Sequence, residues 1–472
     1  MPTHPLEEIL HPRAIAVVGA SNRGGGGPGF VAPLQELGYK GQIYPVNPKY
    51  SKIMGMKAYA SVKDIPGVVD YVISSVPASQ VLGVLEDCRQ KGVKAVHLFT
   101  ARFSETGREE AAKLEQEILE LARKGGIRLI GPNCMGVYYP REGISFSSGL
   151  PRESGPVGLA SQSGQAVHEI VDLATQMGLR FSKAISYGNA LDFNECDYLE
   201  YFAQDPETKI IMMYIEGVRD GRRFFESLRH TTATKPVIIV KGGRGGAGTR
   251  ATASHTASLA GSVEVWETAV SQGGAVSAAE LEELVDLAAA FYYLPPIKGR
   301  RVGVAGGSGG SSVLAADQCE EAGLDVIPLP VKIREELKAK GSAIWDWIGN
   351  PADFSIAWDD FDFGEMIEMM AADENFDLLI LFVSGPWQRG ASRSIKNLIE
   401  EHMKRFRLEE INKPLLVVFQ EGGRGSDSDR TMQKMMNEIK MRLIAANIPI
   451  YPSIGRAARA ASKVIDYYQR SK

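Results

Sequence analysis

A doubly wound α/β fold, repeated in series, is what this chain of 472 residues predicts, and three observations predict it. Short β-branched runs recur along the chain, each closing in a glycine-rich turn. Helical patterns with an amphipathic period follow those turns. The runs are apolar throughout rather than alternating, as in strands of a parallel sheet covered on both faces. One hydrophobic core cannot organise a chain this long, so about three domains are expected.

The elements fall in order. AIAVVGAS at 14–21, GQIYPVNP at 41–48, YVISSVPA at 71–78, AVHLFT at 95–100 and IRLIGPN at 127–133 read as parallel strands. Amphipathic stretches such as ETGREEAAKLEQEILELARK lie between them, giving a dinucleotide-type domain over residues 1–135. A second set starts at GPVGLASQSG and continues through FSKAISYGN, KIIMMYIEG and KPVIIVKGG to ELEELVDLAAAFYYL, a domain over 150–295. The two prolines of LPPIKGRR mark a boundary. RVGVAGGSGGSS, LDVIPLP, FDLLILFVSG, KPLLVVFQEGG and IPIYPSI read as the strands of a third domain over 298–472.

Composition narrows the function classes. The chain is 44% hydrophobic and 23% charged with a net charge of -4, so no broad electrostatic attraction to nucleic acid or an anionic membrane is expected. Its four cysteines, Cys88, Cys134, Cys196 and Cys319, are scattered without a C-x-x-C pair, which fits free thiols in a reducing compartment and argues against a zinc site; no metal ligands are assigned. The start, MPTHPLEEILHP, carries acidic residues and no apolar core of a secretion signal, and no apolar run approaches the ~20 residues of a membrane span. A cytoplasmic location is expected.

Three motifs carry chemistry. After the first strand, GASNRGGGGPG would let backbone approach an anionic ligand at a helix N-terminus. An NAD site places Asp or Glu at the end of strand two, but here the residues are Asn47, Pro48 and Lys49. A lysine there suits a phosphorylated ribose, that of NADP or of coenzyme A, or is simply a solvated surface residue. In GLASQSGQAVHEIV, Ser161, Ser163 and Gly164 close a strand and open a helix, either as a phosphate cradle or as an ordinary serine cap. No G-x-x-x-x-G-K-[ST] loop occurs, so no nucleoside triphosphate site is evident. Finally, ATASHTASLAG sets His255 among side chains too small to form a core. Read by itself, that is a solvated loop whose histidine happens to be there.

HPRAIAVVGAS, YPVNPKY, GPNCMG, SQSG, GNALDFNECDYLEYF, YIEGVRDGRRF and GTRATASHTASLAG occur in that order. Together they closely resemble the α subunits of ADP-forming acyl-CoA synthetases, relatives of the succinyl-CoA synthetase α subunit, over essentially the whole chain. The resemblance implies a Rossmann-like coenzyme A-binding domain followed by two flavodoxin-like domains. It implies that His255 is transiently phosphorylated, with Glu216 of YIEG as its partner, and that Ser161, Ser163, Gly164 and Gln165 receive the phosphoryl group. For coenzyme A it points to Gly19, Ala20 and Ser21, to Lys49 near the ribose phosphate, to Val76 and Pro77, and to Asn133 near the thiol end.

The implied reaction interconverts acyl-CoA, ADP and phosphate with a carboxylic acid, coenzyme A and ATP, through an acyl phosphate and a phosphohistidine. ADP or ATP with Mg²⁺ would be bound mainly by a separate ATP-grasp β subunit, in an α2β2 assembly. Two departures are visible: the first loop, SNRGGGGPGF, is unusually glycine-rich, and Val263 stands where the family often has an acid. Trp345, Trp347 and Trp358 cluster in the third domain as an acyl pocket or as core or interface residues. The competing readings are a non-catalytic coenzyme A sensor or scaffold of the same fold and an NADP-dependent oxidoreductase.

Overall fold

The computed structural model describes residues 4–22, 29–248, 262–342, 345–353, 363–383, 413–419 and 427–470. Two compact units form: Met1–Thr175 with Leu179–Leu284, and Gln176–Gly178 with Val285–Lys472.

The first unit contains two large sheets. Helix α1 (Pro5–Leu10) precedes β1 (Ala14–Val18), and α2 (Val31–Leu37) leads to β2 (Gln42–Val46). A short hairpin, β3 (Lys52–Ile53) and β4 (Met56–Lys57), follows, and then β5 (Tyr71–Ser74), α3 (Val81–Lys91), β6 (Ala95–Leu98), α4 (Glu109–Lys124) and β7 (Arg128–Ile130). The five parallel strands run in the order β2-β1-β5-β6-β7. Strand β1 is buried at every position, and Val72, Val96 and Leu129 are fully buried in register beside it, which is why these segments read as continuous apolar runs. Chain order reverses direction at β1, so the crevice beyond its carboxyl end is the topological switch point where ligands of such sheets bind.

The second sheet has six strands: β8 (Gly136–Tyr138), β9 (Val157–Ser161), β10 (Phe181–Ser186), β11 (Ile210–Ile215), β12 (Val237–Lys241) and β13 (Val276–Ala278), in the order β13-β12-β11-β9-β10-β8. Only β8 is antiparallel to its neighbour, pairing Tyr138 with Ala184 and Gly136 with Ser186. It lies in the interval between the two expected domains, and it is reached five residues after β7. Helices α5 (Gly164–Gln176), α6 (Glu195–Gln204) and α7 (Gly221–Thr232) are the crossovers. Asn194 starts α6 through a capping box with Asp197, so the local sequence NECD sets that helix boundary.

In the second unit, β14 (Val302–Gly306), β15 (Leu378–Val383), β16 (Leu415–Phe419) and β17 (Ile450–Tyr451) form a parallel sheet in that order. LDVIPLP, expected as a strand, is not one: it makes a single isolated bridge, Asp325 to Arg301. Pro328 and Pro330 lack the N–H that a ladder needs, and Pro330 instead precedes the helix Val331–Ala339. Trp345 packs against the core of this unit and Trp347 is 43% exposed, whereas Trp358 lies outside the described residues.

Candidate active site

The carboxyl end of the first sheet gathers the residues expected to meet coenzyme A. Gly19 follows β1 with φ +89, and a Cβ there would sit 2.8 Å from Ser75 Oγ, so the turn after β1 closes directly on the turn after β5. Ser75 Oγ in turn donates to Val18 O at 3.1 Å. Asn47 holds the end of β2 against the same turn by donating from Nδ2 to Ala20 O at 2.8 Å, while its Oδ1 accepts from Lys49 N at 3.0 Å. This leaves the Lys49 side chain exposed at the rim, with Ser21 and Val76 half-buried and Pro77 exposed nearby in the fold. A Gly19→Ala substitution should destabilise the unit by about 1–2 kcal/mol, the usual penalty of a side chain in left-handed backbone, and weaken coenzyme A binding. Urea unfolding and calorimetric titration of the variant check both.

Asn133 lies at the end of the same sheet, with φ 59 and its N–H donating to Thr100 O at 2.9 Å. Its Nδ2 reaches Asn189 Oδ1 at 3.4 Å, and Asn189 Nδ2 donates to Glu105 Oε2 at 2.7 Å. Arg128 forms a two-pronged pair with Asp192 at 2.7 and 3.2 Å and lies 3.8 Å from the centre of the Phe193 ring. Through these contacts GNALDFNE clamps the last turn of the first sheet to the second. Behind the turn, buried His97 sits with Nε2 3.0 Å from Cys134 O, an acceptor that assigns the ring proton to Nε2. Gly136 makes the space, since a Cβ on it would be 2.5 Å from the His97 ring. Burial lowers the His97 pKa to about 4, so the ring is neutral at physiological pH.

The second sheet supplies an anion-receptive turn beside that junction. Ser161 ends β9 fully buried and donates through Oγ to Ser163 O at 2.8 Å. Ser163 caps α5, its Oγ accepting from Ala166 N at 3.2 Å. Both hydroxyls therefore shape the turn. Its uncommitted donors are the Ser163 hydroxyl hydrogen, since that oxygen only accepts from Ala166 N, and the backbone of Gly164 and Gln165, which open α5 and whose N–H groups meet no acceptor among the described residues. These groups and the helix dipole favour an anion. Gly164 also has Met135 packed over it, a Cβ there lying 3.2 Å from Met135 Cγ, and Met135 N donates to Ser186 Oγ at 3.1 Å. GPNCMG and SQSG thus adjoin.

Glu216 follows β11, the strand beside β9, and is 8% exposed. Tyr214 donates its hydroxyl to Glu216 Oε1 at 3.3 Å, and burial, reinforced by the Glu216 charge, pushes the Tyr214 pKa up to about 12. Gly242, after β12, gives the carboxylate room, because a Cβ there would lie 3.2 Å from Glu216 Cγ. Lys241 Nζ donates at 2.6 Å to both Glu216 O and Gly242 O, and burial lowers its pKa against the pull of Glu216. Gln162, which the sequence reading passed over, ties the two turns: its Oε1 accepts from Glu216 N at 2.5 Å and Gly217 N at 3.0 Å. It stands inside SQSG, the one sequence signal that could have singled it out. His255 lies outside the described residues.

This arrangement has relatives. A coenzyme A binding domain model matches residues 13–140, and a succinyl-CoA ligase-like flavodoxin domain model matches 154–291. Fold and site thus first define a coenzyme A-binding protein of the succinyl-CoA ligase class. The chain is 37% identical to the α subunit of ADP-forming acetate–CoA ligase II of Pyrococcus furiosus, over 88% of this chain and 90% of the relative. It is 36% identical to the α subunit of that organism's ligase I, over 97% and 96%. The chain belongs to the family of ADP-forming acetate–CoA ligase α subunits, and its class of enzyme is the acid–thiol ligases. Among solved structures, a protein of Pyrococcus horikoshii OT3 superposes with TM-score 0.79 at 32% identity, covering 99% of both chains. An acetyl-coenzyme A synthetase of Candidatus Korarchaeum cryptofilum, described as dinucleotide forming and solved with phosphate and ADP, gives TM-score 0.78 at 30% identity, covering 99% of this chain and 97% of its own.

Proposed function

We propose that this chain carries the coenzyme A and phosphoryl-transfer half of a short-chain acyl-CoA ligase, and that acetate, named in its relatives, is among the acids used. Coenzyme A lies along Gly19, Ala20, Ser21, Lys49, Val76 and Pro77 with its thiol end toward Asn133. Phosphate attacks the thioester carbonyl of acyl-CoA; the C–S bond breaks, giving acyl phosphate and coenzyme A. A lone pair of neutral His255 then attacks phosphorus, the P–O bond to the acyl group breaks, and its electron pair leaves on the carboxylate. Glu216 accepts a hydrogen bond from the other ring nitrogen and balances the charge that the imidazole acquires. The N–H groups of Gly164 and Gln165 stabilise the phosphoryl oxygens.

ADP with Mg²⁺ then takes the phosphoryl group on an ATP-grasp β subunit, in an α2β2 assembly. The domains over 1–135, 150–295 and 298–472, and a cytoplasmic location, belong to the same reading; no helix among the described residues is long and apolar enough to cross a membrane. The observation that supports it best is the junction of three turns, with GPNCMG packed on the cradle of Ser163 and that cradle tied through Gln162 to Glu216. The test is incubation of the chain and its partner subunit with acetyl-CoA and radioactive phosphate. An acid-labile label mapping to His255 is expected. Coenzyme A binding without any label would instead favour the sensor or scaffold.

A further inference from the structure

The geometry points to a donor in the cradle that the turn's backbone does not supply: the carboxamide nitrogen of Gln162. Which end of this amide is which is settled by its partners. Two backbone N–H groups, those of Glu216 and Gly217, converge on one atom at 2.5 and 3.0 Å, and only the oxygen can accept them. The NH₂ group is therefore held at the opposite end. The side chain is only 8% exposed, and among the described residues Nε2 has no acceptor, yet it is not one of the sealed-off polar atoms. What remains accessible of Gln162 includes this donor.

Its surroundings fix where it can act. Gln162 N donates to Tyr214 O at 3.0 Å, which seats the residue between the carboxyl ends of β9 and β11. Along the chain it is followed by Ser163 and the N-terminal turn of α5, and through space its carboxamide oxygen meets the backbone of Glu216. Gln162 directly precedes the cap of α5 and is anchored on the backbone of Glu216, so its free amide nitrogen belongs to the same junction through which the proposed phosphoryl group passes. This rests on the phosphoryl-transfer reading above. In the step where the imidazole–phosphorus bond forms and the acyl P–O bond breaks, Gln162 Nε2–H donates to one non-bridging phosphoryl oxygen. No proton moves. A donor held by a rigid carbonyl anchor needs no reorientation during transfer.

The Gln162→Glu variant separates anchoring from donation, because a carboxylate still accepts from Glu216 N and Gly217 N but cannot donate. The expected result, in the full chain with its partner subunit, is phosphohistidine formation from acetyl-CoA and phosphate slowed by about 10- to 100-fold at pH 8, the loss of one hydrogen bond to a charged group. Part of the rate should return as pH falls and the new carboxyl group gains a proton to donate. Coenzyme A binding, measured by calorimetry, should be unchanged, which also reports folding. A wild-type rate and flat pH response in Gln162→Glu would overturn the proposal and leave Gln162 as an anchor only. An independent crystal structure of the wild-type complex with inorganic phosphate covers the case in which the variant does not fold. Nε2 about 2.9 Å from a phosphate oxygen is expected there, and phosphate seated in the cradle beyond hydrogen-bond reach of Nε2 would overturn the proposal. Absence of label in the wild-type enzyme would strike the phosphoryl-transfer reading itself.

Discussion

Replacing Glu216 by glutamine is expected to slow phosphorylation of His255 by about 10²- to 10⁴-fold while coenzyme A still binds. The substitution keeps shape and every backbone bond of the site, including those from Glu216 N and Gly217 N to Gln162. It removes the negative charge. That charge sits 8% exposed at a strand end, where the surrounding protein screens it less than water would. In the proposed step a neutral imidazole that bonds to phosphorus becomes cationic, and a carboxylate accepting its second N–H would stabilise both the correct tautomer and the charge. An amide can accept that bond but cannot balance the charge, and it can also turn its NH₂ toward the ring and hold the wrong tautomer. Rapid-quench measurement of the labelled intermediate reads the effect. A rate within a factor of about three of wild type would remove Glu216 from the chemistry.

Acidification should weaken the first unit by roughly 3 kcal/mol between pH 6.5 and pH 4 through His97 alone. In the unfolded chain this ring has an ordinary pKa near 6.5, whereas in the fold burial lowers it to about 4. Between those values the unfolded state binds a proton that the native state does not. Stability is therefore full above pH 6.5, falls as pH drops through the window, and levels off below the folded value. A His97→Gln variant keeps a donor for Cys134 O but has nothing to titrate. It should start less stable, because the Phe30 contact with ring centroids 5.5 Å apart is lost, and it should show a shallower acid slope. Urea unfolding at pH 7 and pH 4.5 measures the difference. Equal slopes in the two proteins would place the acid sensitivity elsewhere.

The central strands of the parallel sheets were legible because they are buried on both faces and so read as uninterrupted apolar runs. IIMMYI and LLVVF are of this kind, with five of six and five of five positions buried. LDVIPLP misled for the same reason: its apolar residues pack against the core as Leu329 does, but its prolines keep the backbone out of the ladder. In the site, SQSG and YIEG were visible as motifs, but the bonds their side chains make were not. The Ser161 hydroxyl is committed to the turn, whereas Ser163 Oγ accepts from Ala166 N and keeps its own hydrogen beside the N–H groups of Gly164 and Gln165. SQSG could have drawn attention to Gln162, but not to its tie to Glu216 and Gly217, which depends on β9 and β11 being neighbours. Asn189 and His97 were hidden likewise, their partners Glu105 and Cys134 being 84 and 37 positions away in sequence.

The three-residue strand Gly136–Tyr138 also limits how the protein can be divided. It belongs to the second sheet by hydrogen bonding but to the first half by chain order, arriving straight from the GPNCMG turn. A fragment starting at residue 150 would leave one side of Ala184–Ser186, three buried residues of β10, without its partner. Such a bare, apolar edge invites another copy to add a strand, so the excised piece should self-associate through that edge. Shuffling these two halves between proteins would have to carry the strand along.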